Sequence, residues 1–161
     1  MDAQIWQLLE SVSDPEIPVI SVVDMGIIQG VAVSADGTVQ VSMTPTFAGC
    51  PALEMMQADI RAALEGAGYE RVQIDVVLNP PWTSERISTE GRRKLKEFGL
   101  APPPPMQGGV DGAMLLFLDA IGCPFCDSTN TRLESPFGPT LCRAIYYCNN
   151  CHQPFELFKP L

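Results

Sequence analysis

The chain has 161 residues with 10 basic and 19 acidic side chains, which gives a formal net charge of −9. This balance opposes binding to a phosphate backbone, so we expect no nucleic-acid partner. The longest apolar run, residues 113–118, is far shorter than the ~20 residues of a membrane span. The N-terminal segment M-D-A-Q-I-W-Q lacks the basic and apolar regions of an export signal. We therefore expect a cytoplasmic protein that does not associate with membranes.

The first third of the chain predicts one helix and a β-hairpin. Apolar side chains recur at helical spacing over residues 5–12, and the D-P pair at residues 14–15 marks the end of that helix. Two runs with alternating polarity follow, over residues 27–33 and 38–44. The D-G pair at residues 36–37 between them is typical of a tight hairpin turn.

The second strand leads to a cysteine that stands before a proline, in the segment T-P-T-F-A-G-C-P at residues 44–51. A residue before proline is pushed out of the helical region, and proline suits the first helical position. We therefore place Cys50 at the N-cap and Pro51 at the start of a helix that runs to about residue 65. The helix dipole there would favour the thiolate, the form that binds metals. The alternative is that Cys50 is a small buried apolar residue.

The middle of the chain predicts a third strand, a basic helix and a linker. Residues 71–78 alternate as a strand, and residues 88–98 form a basic helix that ends before a glycine. The basic side chains of this helix are either a solvated face or a docking patch for an acidic partner. The proline- and glycine-rich run that follows cannot continue a regular element. The predicted segments are a domain of residues 1–100, a linker of residues 101–112 and a second domain of residues 113–161.

Five of the six cysteines lie in the last of these segments. Closely spaced cysteine pairs in a reducing compartment are more typical of metal ligands than of disulfides. A segment of about forty residues cannot bury enough apolar surface to fold alone, so a bound metal would supply folding free energy. Four of the cysteines form the pattern C-x2-C-x21-C-x2-C, which predicts a zinc ribbon with a structural Zn²⁺: Cys123, Cys126, Cys148 and Cys151.

Three other interpretations of these cysteines remain open. The run C-N-N-C-H at residues 148–152 matches covalent haem attachment, C-P-F-C at residues 123–126 matches a redox dithiol, and an iron–sulfur cluster would use the same four thiolates as zinc. Cys142 stands outside the tetrad. Strand alternation places it on the side of Tyr146, where it either packs the ribbon or faces the first domain. The only histidine, His152, receives no role.

Four longer motifs occur in this order: S-D-P-E-I-P-V-I-S-V-V-D-M-G-I-I at residues 13–28, T-P-T-F-A-G-C-P at residues 44–51, L-N-P-P-W at residues 78–82, and S-P-F-G-P-T-L-C-R-A before the last cysteine pair. Together they resemble the PaaD family, also called PaaJ, of phenylacetate degradation. The first three motifs are shared with the wider SufT-like iron–sulfur assembly domain. The fourth motif and the ribbon narrow the resemblance to the PaaD type.

Periodicity and resemblance lead to the same fold class, α+β, with a small mixed β-sheet covered by helices and a C-terminal zinc ribbon. The resemblance implies a non-catalytic factor that assembles or inserts iron–sulfur or metal centres for the phenylacetyl-CoA 1,2-epoxidase, a ring monooxygenase. The oxygenase or the iron–sulfur reductase of that complex would be its partner. Asp14 and Glu16 match the acidic D-P-E motif of the family, and Cys50 matches its reactive cysteine. The structural alternative for D-P-E is a turn at the end of the first helix.

In this interpretation Cys50 holds a labile iron–sulfur cluster, with Thr44 or Thr46 as hydrogen-bond donors beside it and Cys142 as a further candidate. One cysteine per chain leaves iron positions for a partner or for a second copy, which makes a homodimer an option. The rival hypothesis is a stable interaction subunit of the oxygenase complex that handles no iron. We expect no enzyme, because one histidine, no phosphate-binding loop and no identifiable carboxylate pair leave no catalytic set.

Overall fold

The structure is a computed structural model that describes residues 2–105 and 121–161. The predicted linker reaches from residue 101 to residue 112, so residues 106–112 of it lie outside the described residues. The same holds for residues 113–120 at the start of the predicted second domain. The division of the chain at residues 100 and 112 therefore stays a prediction.

The described residues group into two compact units. The first unit contains the described residues up to Trp82 together with Arg86–Gly91. The second unit contains Thr83–Glu85 and the described residues from Arg92 onward.

The first unit contains a three-stranded mixed sheet and two helices. Strand β1 pairs antiparallel with β2, and β2 pairs parallel with β3, so β2 lies in the middle. The predicted hairpin and third strand are confirmed. The bounds are α1 Asp2–Glu10, β1 Ile28–Val33, β2 Val39–Met43, α2 Leu53–Gly66 and β3 Val72–Val76.

The hairpin turn is set by local chemistry. Gly37 adopts a φ of +83°, a conformation that side chains with a Cβ rarely take. The Asp36 carboxylate accepts the N–H of Thr38 at 3.2 Å, and the Gly37 N–H donates to the Ser34 carbonyl at 2.9 Å. These bonds close the turn where the D-G pair predicted it.

The core of the first unit follows the two expected periodicities. Alternate residues of β2 are fully buried, and α2 buries one face at helical spacing. Each such side chain contributes roughly 1.5–3 kcal/mol when it leaves water. The buried residues of these elements are Val39, Val41 and Met43 of β2, and Met56, Ile60 and Leu64 of α2.

A four-stranded sheet in the order β4-β7-β6-β5 forms the second unit. Strands β5, β6 and β7 are antiparallel neighbours, and the short β4 pairs parallel with β7. The predicted basic helix is confirmed as α3, whereas β4 and β7 were not predicted. The bounds of the strands are β4 Leu100–Ala101, β5 Thr131–Ser135, β6 Arg143–Cys148 and β7 Pro154–Phe158. The 3₁₀ helix Ser84–Arg86 and helix α3, Thr89–Glu97, each contain residues of both units.

The core of this sheet is small. Ala144, Tyr146 and Cys148 alternate along β6 and are buried. The ring of Tyr146 stacks on that of Phe155 with the centroids 5.8 Å apart. Two of the four ribbon cysteines, Cys123 and Cys148, are part of this core. The observed combination of helices, a small mixed sheet and a cysteine ribbon confirms the predicted α+β class.

Candidate functional site

The two cysteine pairs form turns that are built alike. In the first turn the Asp127 N–H donates to the Cys123 carbonyl at 3.0 Å, and in the second the His152 N–H donates to the Cys148 carbonyl at 3.0 Å. Asp127 and His152 have nearly equal positive φ angles of 59° and 60°. His152 is exposed and closes its turn through its backbone. The backbone of His152 therefore has a structural use in the turn, and no role of its side chain as a metal ligand is needed.

These turns bring four sulfur atoms close together. The Sγ atoms of Cys123, Cys126, Cys148 and Cys151 all lie within 4.8 Å of one another. The Cys123–Cys151 and Cys126–Cys148 sulfur pairs are 3.7 and 3.6 Å apart. A tetrahedral metal with sulfur ligands at about 2.3 Å has sulfur–sulfur edges of about 3.8 Å. The donor set therefore fits one tetrahedral metal ion.

The surroundings of the four thiols differ in their effect on ionisation. The backbone N–H of Ser128, and after it the amide of Asn150 at 3.6 Å, lowers the pKa of Cys126 to about 6. Burial raises the pKa of Cys151 to about 12 and also raises the pKa of Cys123. Adjacent thiolates repel one another, so the whole set ionises only when a cation lies among them. The cluster is suited to a metal whose charge offsets that repulsion.

The pairing of sulfurs also bears on the alternatives for these cysteines. The short sulfur–sulfur contacts, Cys123 with Cys151 and Cys126 with Cys148, each join one pair to the other. An isolated redox dithiol or a two-cysteine haem attachment would use the sulfurs of a single C-x-x-C pair. The geometry favours a metal site shared by both pairs.

Cys50 lies between β2 and α2, and its predicted place at the helix N-cap was wrong. The N-cap is Ala52, and the first helical i to i+4 bond runs from the Met56 N–H to the Ala52 carbonyl at 2.9 Å. The Cys50 carbonyl instead accepts the N–H of Leu53 at 3.2 Å, and the Cys50 N–H donates to the Phe47 carbonyl at 3.2 Å. Two consecutive turns thus precede the helix, and they leave the Cys50 thiol half-buried.

The loop that carries Cys50 leaves the sheet at the carboxyl end of a parallel strand pair. Strands β2 and β3 run parallel and are joined through α2. The Val77 N–H donates to the Met43 carbonyl at 2.8 Å, so the two strand ends lie side by side. In open sheets, ligands bind outside the carboxyl ends of parallel strands. The fold therefore places Cys50 on a loop of the kind that commonly binds ligands.

Thr44 follows directly after β2 and is 1% exposed. Its backbone N–H donates to the Ile27 carbonyl at 2.8 Å. Its hydroxyl, however, has no hydrogen-bond partner among the described residues. A buried hydroxyl without a hydrogen-bond partner lowers the free energy of unfolding by roughly 1–3 kcal/mol. Thr46, two residues further on, is half-buried.

Asp14 lies in a tight turn after α1 and is 7% exposed. One carboxylate oxygen accepts the N–H groups of Glu16 at 2.8 Å and Ile17 at 2.9 Å. This is the turn geometry that the sequence offered as the structural alternative for D-P-E. Asp14 also lines a cleft of about 500 Å³ together with Met55 and Asp59 of α2. Glu16 is half-buried.

Cys142 belongs to the second unit, whereas Cys50 belongs to the first. It is 5% exposed, and its Sγ lies 3.0 Å from the Thr140 hydroxyl. Lys159, to which no sequence motif pointed, donates its backbone N–H to the Cys142 carbonyl at 2.8 Å and is 7% exposed. The sequence did contain a signal for Lys159. It ends the alternating run P-F-E-L-F-K, in which the leucine two positions earlier and the phenylalanine four positions earlier point inward, and a lysine is unusual at an inward position.

The basic side chains of α3 bind groups of the chain itself. Arg92 donates to the carbonyl oxygens of Ser84 at 2.7 Å and of Pro103 at 2.5 Å. Lys96 forms an ion pair with Asp127 in the first cysteine turn. These contacts support the structure of the second unit and weaken the interpretation of the helix as a docking patch for an acidic partner.

Comparisons with known proteins bear on both parts of the chain. Residues 2–76 match the model of an iron–sulfur cluster assembly protein, and residues 118–159 match that of the PaaD zinc beta ribbon domain. A protein of Escherichia coli strain K12, described provisionally as one of the subunits of 1,2-phenylacetyl-CoA epoxidase, is 39% identical over 97% of this chain and 91% of its own length. The chain belongs to the PaaD family. The resemblance inferred from its motifs is confirmed.

Further relatives connect this PaaD family member to the wider assembly domain. An Fe-S protein maturation auxiliary factor of Porphyromonas gingivalis is 40% identical over 58% of the chain and 90% of its own length. A crystal structure of a domain of unknown function, DUF59, from Bacillus anthracis matches 58% of the chain and 90% of that domain with a TM-score of 0.54 and 28% identity. The PaaD family chain is thus related to named iron–sulfur maturation factors.

None of the helices in the described parts of the chain combines the length and the apolar character needed to cross a membrane.

Proposed function

We propose that this chain is a non-catalytic maturation factor that assembles or inserts an iron–sulfur or other metal centre for the phenylacetyl-CoA 1,2-epoxidase. The observation that carries the proposal is the relationship over 97% of the chain to a protein described as belonging to that epoxidase. The match of residues 2–76 to an iron–sulfur cluster assembly protein supports the maturation role. The partners would be the oxygenase or the iron–sulfur reductase of the complex, and the compartment would be the cytoplasm.

Cys50 would hold the iron–sulfur cargo in this role. Its half-buried thiol lies on the loop after β2, at the carboxyl end of a parallel strand pair, where ligands commonly bind. A single thiolate binds iron incompletely, so the remaining ligand positions stay open to the recipient protein or to a second copy of the chain. Release of the cargo then requires the loss of only one protein–iron bond.

Thr44 supports this assignment because its buried hydroxyl lacks a partner among the described residues. A hydroxyl in that state can donate to a sulfur or oxygen atom of bound cargo, and hydrogen bonds of this kind tune metal–sulfur sites. Thr46 and the acidic pair Asp14 and Glu16 complete the proposed functional set. Asp14 also has a structural use, because its carboxylate holds the turn after α1.

The four-cysteine cluster would hold a structural Zn²⁺. Sulfur separations of 3.6 and 3.7 Å suit its tetrahedral radius, and residues 118–159 match a zinc ribbon model. Zinc has no redox chemistry, so its contribution would be folding free energy. This division leaves Cys50 as the candidate for cargo and gives the ribbon a stabilising role. For Cys142, which is 5% exposed, we propose the alternative of a small residue that packs the ribbon.

The test of the proposal is the Cys50→Ala variant, produced beside wild type and Cys142→Ala under anaerobic conditions. We expect all three proteins to retain one zinc per chain and only Cys50→Ala to lose iron and acid-labile sulfide. When each replaces the wild-type chain in cells, Cys50→Ala should leave the epoxidase without its metal centre and inactive. Full epoxidase activity with Cys50→Ala would rule out the assignment.

The second candidate function is a stable interaction subunit of the oxygenase complex that handles no iron. The observation that favours it is the description of the Escherichia coli relative as a subunit of the epoxidase. This alternative predicts that the chain co-purifies with the epoxidase in fixed ratio and that Cys50→Ala changes nothing. A maturation factor is instead expected to dissociate once the epoxidase carries its metals.

A further inference from the structure

The loop between β5 and β6 exposes apolar side chains to an unusual degree. Phe137 and Leu141 are 71% and 67% exposed, the highest values among the large hydrophobic residues that the structure describes. The two residues lie four positions apart in one loop, and exposed apolar patches commonly mark an interaction site. We refer to residues 136–142 as the β5–β6 loop.

The backbone of the β5–β6 loop is fixed by its own hydrogen bonds. The Ser135 hydroxyl accepts the N–H of Phe137 at 3.1 Å and donates to its carbonyl at 2.9 Å. The Gly138 N–H donates to the Arg143 carbonyl at 2.9 Å. A Cβ at Gly138 would lie 2.9 Å from the Cβ of Arg143, so the close approach requires glycine. The two apolar side chains are therefore presented on a preorganised frame, which reduces the entropy lost on binding.

A buried lysine lies beside this loop. Lys159 is 7% exposed, and its Nζ lies 5.6 Å from the centre of the Phe137 ring. Within the residues that the structure describes, no carboxylate lies at ion-pair distance from this Nζ. Burial lowers the pKa of Lys159, and Cys142 would act in the opposite direction only in its thiolate form. Lysine is almost never this buried without an acidic partner, so the site is suited to an incoming carboxylate.

We propose that Phe137, Leu141 and Lys159 form a surface that docks on a protein subunit presenting an apolar pocket bordered by a carboxylate. Phe137 and Leu141 fill the pocket, and the carboxylate pairs with Lys159 next to the Phe137 ring. Because the chain carries a net charge of −9, this cation offers a local attraction to a partner whose acidic side chains are otherwise repelled. The same net charge opposes docking on an anionic membrane surface, where clusters of basic residues are required.

This inference rests on the proposed function for the identity of the partner, which we take to be a subunit of the phenylacetyl-CoA epoxidase. The experiment measures binding of the full-length chain to purified epoxidase prepared without it, at low and at high salt. We expect the double variant Phe137→Ser/Leu141→Ser to bind at least tenfold more weakly, since buried apolar anchors dominate most interfaces. Leu78→Ser, an exposed leucine of the first unit at 56%, is the matched control and should bind like wild type.

The contribution of the Lys159 charge is measured separately, through the salt dependence of binding. Lys159→Gln should weaken binding and reduce its dependence on salt, because a charge-assisted contact is lost. Zinc content equal to that of wild type shows that the Phe137, Leu141 and Lys159 variants are folded, and a far-UV circular dichroism spectrum equal to that of wild type shows the same for Leu78→Ser. Phe137→Gln alone replaces the double variant if the latter does not fold.

Three results would overturn the docking surface. The first is unchanged binding of the Phe137 and Leu141 variants to the epoxidase, and the second is an equal loss of binding in Leu78→Ser. The third is that the variants bind the epoxidase normally and lose only self-association or binding to anionic vesicles. Cys50→Ala separates this inference from the proposed function, because it should bind the epoxidase normally while failing to mature it. If Cys50→Ala matures the enzyme but the Phe137 and Leu141 variants do not bind it, the assignment of the cargo to Cys50 is wrong and the docking surface stands.

Discussion

Asp14 has both a structural and a proposed functional use. Its carboxylate accepts two backbone N–H groups within the turn, and the residue is nearly buried. The turn therefore gives the Asp14 carboxylate a structural use, and the proposed use toward cargo would be additional to it. Substitutions that keep or remove the hydrogen bonds separate the two uses.

We expect Asp14→Ala to lower the free energy of unfolding by about 1–3 kcal/mol, because buried N–H groups lose their acceptor. Asp14→Asn keeps an acceptor oxygen and should stay within about 1 kcal/mol of wild type. Urea unfolding followed by tryptophan fluorescence measures both. An Asp14→Asn protein that is stable but fails to mature the epoxidase would assign the negative charge to function. Equal stability of the alanine variant and wild type would contradict the structural role.

Predictions for single residues succeeded where neighbouring residues alone set the local conformation. The D-G turn formed as predicted because Gly37 and Asp36 carry the needed conformation and hydrogen bond themselves. The N-cap assignment of Cys50 was wrong because the C-P pair restricts backbone angles without fixing where the first helical bond forms. In this loop a further turn precedes the helix, and α2 begins at Leu53.

At the scale of elements, α3 depends on one serine at its start. The Ser88 hydroxyl accepts the N–H of Gly91 at 2.8 Å and donates to the Asp24 carboxylate at 2.7 Å. Ser88→Ala removes both bonds and should lower the free energy of unfolding by about 1–2 kcal/mol, the usual loss for an N-cap. Ser88→Thr keeps the hydroxyl and serves as the control. Chemical denaturation compares them, and an alanine variant as stable as the threonine variant would contradict the capping role.

Most elements with a strong internal pattern were predicted, although β7 was missed despite its alternation, and an element defined by a distant partner was not predictable. The apolar spacing of α2 and the alternation of β2 appear in the sequence before any neighbour is known. Strand β4 is only Leu100–Ala101, and its definition comes from pairing with Glu156 and Leu157 of β7. Two residues carry no periodicity, so the sequence could not distinguish them from the proline run that follows.

For the whole molecule, the metal of the four-cysteine cluster should determine the stability of the second unit. Structural zinc contributes on the order of 10–16 kcal/mol in small domains. Removing it with a strong chelator should abolish amide protection in β5, β6 and β7 while β1, β2 and β3 stay protected. Hydrogen exchange with mass spectrometry measures both regions. Cys123→Ser should reproduce the effect, Cys142→Ser should not, and unchanged protection of the metal-free protein would show that the sheet folds without metal.

The sequence by itself determined most of the local elements, the family and the four cysteines that would bind metal. Periodicity and cysteine spacing are short-range properties, and they are visible without a fold. Only the tertiary structure decided that Cys126 and Cys148, 22 positions apart, place their sulfurs 3.6 Å from each other. It also decided that the buried Thr44 hydroxyl has no hydrogen-bond partner among the described residues, and that the Lys159 Nζ lies 5.6 Å from the centre of the Phe137 ring. These properties depend on which distant residues exclude water from a group, and no local pattern records that.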